Sequence, residues 1–268
     1  MSTYPKISVV VPSFNQVEYL ELALRSIIDQ EYPNLELIVI DGGSNDGSSD
    51  VVRNYESHMK FWCSEPDGGQ TLGIIKGFSH ATGEILCFLN SDDLFEPGSL
   101  LEVGQYFAAH PDTDAVYGNA LWIDAKGKPL RPQKEMPFNR FIFLHTYNYI
   151  PSMSMFWRRS IYDKAGGLNP AFQMAFDADL WMRFSDNGTI KHVARQWSRM
   201  RFYPEQKSQR LREITIREDM QVRSRYWKNQ VMPPTYHLKR KIALAIRCGW
   251  KLVLGCYGWG YRRHMKNA

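Results

Sequence analysis

The sequence predicts an α/β fold: a mostly parallel sheet flanked by helices, with a helical C-terminal extension. Three observations predict it. Short β-branched runs alternate with helix-period segments through the first half of the chain. Their spacing leaves room for a helical crossover between successive strands, which parallel pairing requires. The charge also changes sign along the chain: residues 1–190 carry 14 Lys and Arg against 24 Asp and Glu, whereas 191–268 carry 19 against 4. The net charge of +5 hides that division into an acidic body and a basic tail. At 268 residues and 44% hydrophobic content, the chain can bury a core without disulfide or metal staples.

The elements follow in order. ISVVVPS (7–13) is an apolar, β-branched first strand. Residues 15–30 place Val17, Leu20, Leu24, Ile27 and Ile28 on one helical stripe. LELIVID (35–41) is the second strand, 48–57 a short helix and 60–65 the third strand. A helix at 69–81 leads to the fourth strand, EILCFLN (84–90), and Pro97 opens a helix over 97–110. Residues 114–124 read as a strand. Beyond 125 the pattern loosens: a helix at 138–147, a strand at 151–159, a helix at 177–187, then two strands through IKHVARQW and SRMRFYP. A charged helix spans 208–230, Pro233-Pro234 breaks the chain, and a basic, aromatic helix fills 236–263. The expected division is 1–207 as the main domain (1–125 and 126–207 as its halves) and 208–268 as the extension.

Ligands of open parallel sheets bind at the carboxyl ends of the strands. Those ends carry Pro12, Ser13, Phe14 and Asn15; Asp41 with GGSNDG; Asp67, Gly68 and Gly69; and Asn90, Ser91, Asp92 and Asp93. Such residues also dominate ordinary turns. Adjacent carboxylates repel, however, unless a cation lies between them. Oxygen ligands without neighbouring Cys or His suit Mg²⁺ or Mn²⁺, which is held by one or two carboxylates and substrate phosphates. The competing explanation of Asp92-Asp93 is an acidic turn before the helix that follows. No G-x-G-x-x-G follows the first strand, and Ser48 stands where a P-loop needs lysine.

These stretches resemble a known family. ISVVVPSFNQVEYLELALRSIIDQEYPNLELIVIDGGSNDGSSDVV, EPDGGQTLGIIKGFSHATGEILCFLNSDDLFEPGSL and FWRRSIYDKAGGLNPAFQMAFDADLWMRFSDNG are similar, in order, to segments of the family 2 glycosyltransferases. The resemblance covers about residues 6–207 and implies the GT-A fold, with a nucleotide-binding sheet. It implies that Pro12, Ser13, Phe14, Asn15, Asp41 and Asp67 contact the nucleotide of a sugar donor. The D-x-D motif falls on Asn90-Ser91-Asp92, with Asp92 as direct ligand of Mn²⁺ or Mg²⁺ and Asp93 beside it. Asp177 matches the catalytic base, followed by Asp179, Trp181 and Arg183 as in relatives. An inverting transfer needs a base on the acceptor hydroxyl and a cation at the departing diphosphate. On residues alone, Asp177 reads first as a helix N-cap carboxylate, and it is the resemblance that makes it the base. The chain departs from relatives at Asn90, at Leu72 and Ile75 (Asp and Asn in many relatives), and at Tyr203, where a His is common; Lys207 is a candidate substitute.

The reading is therefore a transferase acting in surface polysaccharide or lipopolysaccharide assembly. Its donor is a nucleotide sugar, with a UDP-sugar as first guess, and its acceptor a saccharide or a lipid-linked saccharide. A sugar nucleotidyltransferase needs a glycine-rich basic loop after the first strand, and VPSFNQVEY has neither glycine nor lysine. A non-catalytic carbohydrate-binding or scaffold protein on the same fold stays open because of the departures. The four cysteines lack any C-x-x-C pair, and the N-terminus lacks a signal-peptide pattern, so a cytoplasmic location is expected. Residues 237–266 interleave Lys and Arg with Ile, Leu, Trp and Tyr, which suits peripheral contact with the inner face of a membrane rather than a span. A solvated basic helix packed on the domain is the alternative. No nucleic-acid motif is present.

Overall fold

A computed structural model describes residues 4–256. The strands are β1 (Ile7–Ser13), β2 (Leu35–Asp41), β3 (Phe61–Ser64), β4 (Ile85–Phe88), β5 (Leu94–Phe95), β6 (Ala115–Ile123), β7 (Pro129–Gln133), β8 (Met155–Arg158) and β9 (Ile190–Arg201). The helices are α1 (Val17–Ile28), α2 (Ser48–Asn54), α3 (Gln70–His80), α4 (Ser99–Ala109), α5 (Arg140–His145), α6 (Arg159–Lys164), α7 (Phe176–Asn187), α8 (Lys207–Arg210), α9 (Arg212–Ser224) and α10 (Tyr236–Val253).

The strands form one sheet in the order β3-β2-β1-β4-β8-β6-β9-β5, with β7 paired to β6. β1 through β4 are mutually parallel, β8 runs antiparallel between β4 and β6, and β6 pairs parallel with β9. Every residue of β1 is buried, as expected of a strand covered on both faces. The stripe of α1 buries Tyr19, Leu20, Ala23, Leu24 and Ile27. Register sets the functional edge: Ser13 lies opposite Asp41, and Asp41 opposite Ser64, so three strands end at one level. An aromatic cluster joins β4 and β8 to α7. Phe88 at the end of β4 meets Phe176 with ring centroids 5.7 Å apart, and Trp157 meets Trp181 at 5.3 Å.

Three expectations differ from the structure. The two strands expected after residue 189 are one, β9, because β6 pairs along most of its length and absorbs the polar middle through register shifts near Asn119. Gly118 permits this, since a Cβ there would lie 2.7 Å from the Trp197 ring. The helix expected at 208–230 breaks at Leu211 and ends at Ser224; a short 3-10 turn follows at Lys228–Gln230, where Asn229 has φ 54°. The last helix ends at Val253, and the remainder of the segment expected to 263 extends past residue 256, outside the described residues. The strands β5 and β7 were not readable: one has two residues, and the other carries two prolines.

Candidate active site

The residues expected at the nucleotide gather where β1, β2 and β4 end, with Asp67 just past β3. Asn15 adopts φ 51°, a left-handed conformation that Asn tolerates. Its N–H donates to Ser44 Oγ (2.8 Å), and its Oδ1 accepts from Asn45 N (3.1 Å), which locks the loops after β1 and β2 together. Asp41 is fully buried. Its carboxylate accepts from Ser44 N (2.9 Å), Ser44 Oγ (2.5 Å) and Ser64 Oγ (2.6 Å). Pro12 and Ser13 are buried beneath the edge, while the Phe14 ring is 60% exposed. Asp67 accepts from Gly69 N (2.8 Å) and packs against Gly73, where a Cβ would lie 2.5 Å from its Oδ2.

The four residues of the Asn90–Asp93 turn face different ways. Asn90 accepts from Gln70 Nε2 (2.7 Å) and donates to Asp93 Oδ2 (3.0 Å). Ser91 is buried. Asp93 is fully buried, and its Oδ1 accepts from Arg201 N (2.9 Å). Burial and the adjacent Asp92 push its pKa well up. Asp92 instead accepts from the Tyr203 hydroxyl at Oδ2 (2.9 Å), and burial raises its pKa. Tyr203 is itself fixed by the Tyr19 ring, 5.3 Å away. The adjacent carboxylates are thus divided, one holding the turn and the other paired with a phenol.

Does this fit a divalent cation? Among the described residues no group of three or more His, Cys, Asp and Glu side chains is arranged to hold a metal. Asp92 is an oxygen donor whose charged form burial disfavours, and a cation would restore that form. One carboxylate suffices for Mg²⁺ or Mn²⁺ when diphosphate and water supply the other ligands. The residues fit on that basis.

Asp177 lies in the first turn of α7, one residue past its start, at the wall of a cavity of about 500 Å³. Trp122, Arg131, Tyr147, Ser152 and Arg247 also line this cavity. Asp177 accepts from Asn148 Nδ2 (2.8 Å), from Ala178 N (2.7 Å) and from Ser152 Oγ. Burial nevertheless raises its pKa, with those donors pulling the other way. Its helix is held from behind. Glu218 on α9 accepts from the backbone N–H groups of Gln173 (3.0 Å), Met174 (2.7 Å) and Ala175 (3.0 Å). Asp179 is buried and pairs with Arg183 (2.7 Å) and with Arg225 beyond α9. Lys207 bridges the two sides, donating to Gln70 Oε1 and to Gln173 O, both at 3.0 Å.

The sequence reading missed Gln70, Asn148, Ser152, Glu218 and the pairing of Glu135 with Arg247. Each lies 20 or more residues from its partner, and no local motif signals it. Tyr203 was visible only as a departure.

A mostly parallel sheet of this order, with Asp, Asn, Gly and Ser turns at its carboxyl edge and helices on its faces, is that of the GT-A class of glycosyltransferases. Residues 8–166 match the family described as Glycosyl transferase family 2, and the chain belongs to that family. An uncharacterized glycosyltransferase of Mycobacterium tuberculosis is 30% identical over 185 residues, covering 68% of this chain and 70% of that one. A PGL/p-HBAD biosynthesis glycosyltransferase of Mycobacterium bovis is 27% identical over 190 residues, covering 69% and 72%. Two solved structures share the fold. S. aureus TarS 1–349 in complex with UDP has a TM-score of 0.65 at 18% identity, covering 93% of this chain and 74% of that one. The mannosyltransferase PcManGT from Pyrobaculum calidifontis, in complex with GDP-Man and Mn²⁺, has a TM-score of 0.62 at 17% identity, covering 96% and 76%. A longer TarS chain is covered to 43%.

Proposed function

We propose that this glycosyltransferase is inverting and metal-dependent. It moves a sugar from a nucleotide-sugar donor to a saccharide or lipid-linked acceptor in surface polysaccharide assembly. The observation that carries this is Asp177: a carboxylate with a raised pKa, in the wall of a cavity, on a helix tied to the donor side by Phe88–Phe176. Asp177 takes the proton of the acceptor hydroxyl as that oxygen attacks the anomeric carbon, and its raised pKa makes it a stronger base than an exposed aspartate. Asn148 and Ser152 hold the carboxylate in place. On the donor side, Pro12, Ser13, Phe14, Asn15, Asp41 and Asp67 form the nucleotide site, with Asn90, Ser91 and Asp93 shaping the turn that presents Asp92. Asp92 would hold Mn²⁺ or Mg²⁺, whose charge, when bound, offsets that of the departing diphosphate. Lys207 supplies a second cation on that side, next to Gln70 and thus near Asn90.

A UDP-sugar is the first donor to test, since TarS is seen with UDP and with UDP-GlcNAc. GDP-mannose follows, since PcManGT is seen with it. The relative named for PGL/p-HBAD biosynthesis supports a role in a biosynthetic transfer. Among the described residues no helix is long and apolar enough to cross a membrane. The proposed location is the cytoplasm, with peripheral contact at the inner face of the membrane through residues 237–266.

The test is a thermal-shift panel of UDP, GDP, dTDP and CMP, each with Mn²⁺, Mg²⁺ or EDTA. A ligand that binds only the native state raises Tm. One nucleotide should stabilise the protein only with metal, and Asp92→Ala should abolish that effect. No shift with any pair would count against the donor site.

A further inference from the structure

Helix α10 has two unlike faces. The inner face buries Tyr236, Ala243 and Arg247. It contributes Leu244, Arg247, Cys248 and Lys251 to the cavity that holds Asp177. Arg247 is 5% exposed and pairs with Glu135, itself 1% exposed, at 3.0 Å. The outer face leaves large apolar side chains in solvent: Leu238 61%, Ile242 45%, Ile246 43%, Trp250 41% and Val253 82% exposed. Steps of four, four, four and three residues keep them on one stripe. At 1.5 Å per residue the stripe is about 22 Å long. Monomeric proteins rarely leave a contiguous apolar surface of that extent without a use.

The chemistry around the stripe selects its occupant. Lys239 and Lys241 are exposed and flank its N-terminal half, and α10 contains no Asp or Glu. A second copy of this chain would bring cations against cations. Trp250 suits the boundary between headgroups and acyl chains. Basic rims, an apolar centre and an interfacial tryptophan together fit an anionic bilayer surface.

We infer that α10 lies on an anionic membrane along the Leu238–Val253 stripe while its opposite face forms part of the acceptor cavity. This rests on the membrane contact proposed above for residues 237–266, and it names the surface that makes the contact. One helix diameter, about 10 Å, then separates the bilayer from the cavity beside Asp177. An acceptor anchored in the same bilayer can reach the cavity without leaving the membrane.

The experiment is co-sedimentation of the full chain with phosphatidylcholine vesicles, with and without phosphatidylglycerol. The triple variant Ile242→Gln, Ile246→Gln, Trp250→Gln should lose at least about tenfold of its binding to the anionic vesicles. Its Tm and its nucleotide-dependent thermal shift should stay those of the parent chain, because the three side chains are exposed. Lys239→Gln with Lys241→Gln should remove the preference for phosphatidylglycerol. If the triple variant binds as well as the parent, the stripe is not the surface and the inference fails. If the parent chain binds neither vesicle, the membrane contact itself fails, and nucleotide-dependent stabilisation then reports separately on the transferase reading. If the triple variant instead converts a dimer to a monomer, the stripe belongs to a second copy.

Discussion

The hydroxyl of Tyr203 donates to Oδ2 of Asp92 at 2.9 Å, joining residues 111 positions apart. The phenol stabilises the charged form of Asp92 against a burial that disfavours it. It also fixes one carboxylate oxygen of Asp92.

Removing that hydrogen bond tests its role. Loss of a hydrogen-bond partner behind a metal ligand typically costs about 10–100-fold in metal affinity. Tyr203→Phe should raise the Mn²⁺ concentration needed for half-maximal nucleotide-dependent stabilisation by about tenfold, with little change in Tm without metal. An unchanged Mn²⁺ titration would reduce Tyr203 to a packing partner of Tyr19.

Asp177 gives a pH signature with a defined sign. Its folded-state pKa is raised, chiefly by burial. Its contribution to stability is therefore full below the ordinary aspartate value and is lost as pH rises through the raised one. The Tm of Asp177→Asn minus that of the parent chain should become more positive across this window. In activity the acid limb should lie above the usual aspartate range. Ser152→Ala should move it further up, since Ser152 donates to the charged form.

The parallel strands, their helices and the residues at their carboxyl ends were legible because each is local. Burial on both faces makes β1, β2 and β4 largely apolar runs, and the turns after them carry Asn, Asp, Gly and Ser. The division of labour between Asp92 and Asp93 was not legible. It depends on Arg201 and Tyr203, which reach the turn only after β9 has paired with β6 and β5. The basic tail was legible in composition alone. That Arg247 points inward to Glu135 while Ile246 points outward is a matter of helix phase against a surface built by residues 100 positions earlier.

Glu218 should matter more than a surface glutamate on a charged helix. It is 5% exposed and takes three consecutive backbone N–H groups just before α7. Glu218→Gln keeps one acceptor oxygen but replaces the other by an NH2 donor, which at the Oε1 position would oppose the Gln173 N–H, and an unsatisfied buried donor costs about 1–3 kcal/mol. At roughly 2–4 °C per kcal/mol, the expected loss in Tm is about 2–12 °C. Because the cap positions Asp177, kcat should fall while nucleotide affinity is retained. A variant that loses stability without any fall in kcat would confine Glu218 to folding.

The Glu135–Arg247 pair sets what α10 contributes to stability. Both side chains are buried, Lys251 adds a contact at 3.2 Å, and the guanidinium stacks over Tyr147 and Tyr149 at 4.4 and 5.2 Å. Breaking a buried pair by removing one partner costs about 3–5 kcal/mol, because the other charge stays buried. Arg247→Met should therefore destabilise the protein by about that amount. Lys251 is the remaining cation beside Glu135 and should soften the loss toward its lower end. Adding Glu135→Leu should recover most of it, since the stranded carboxylate is gone and apolar contacts take its place. A double-mutant cycle by urea unfolding measures the coupling. Additive losses would mean that α10 is held by its apolar contacts with α5 and not by the ion pair. Strong coupling with intact nucleotide binding would mean that the pair fixes the acceptor side alone.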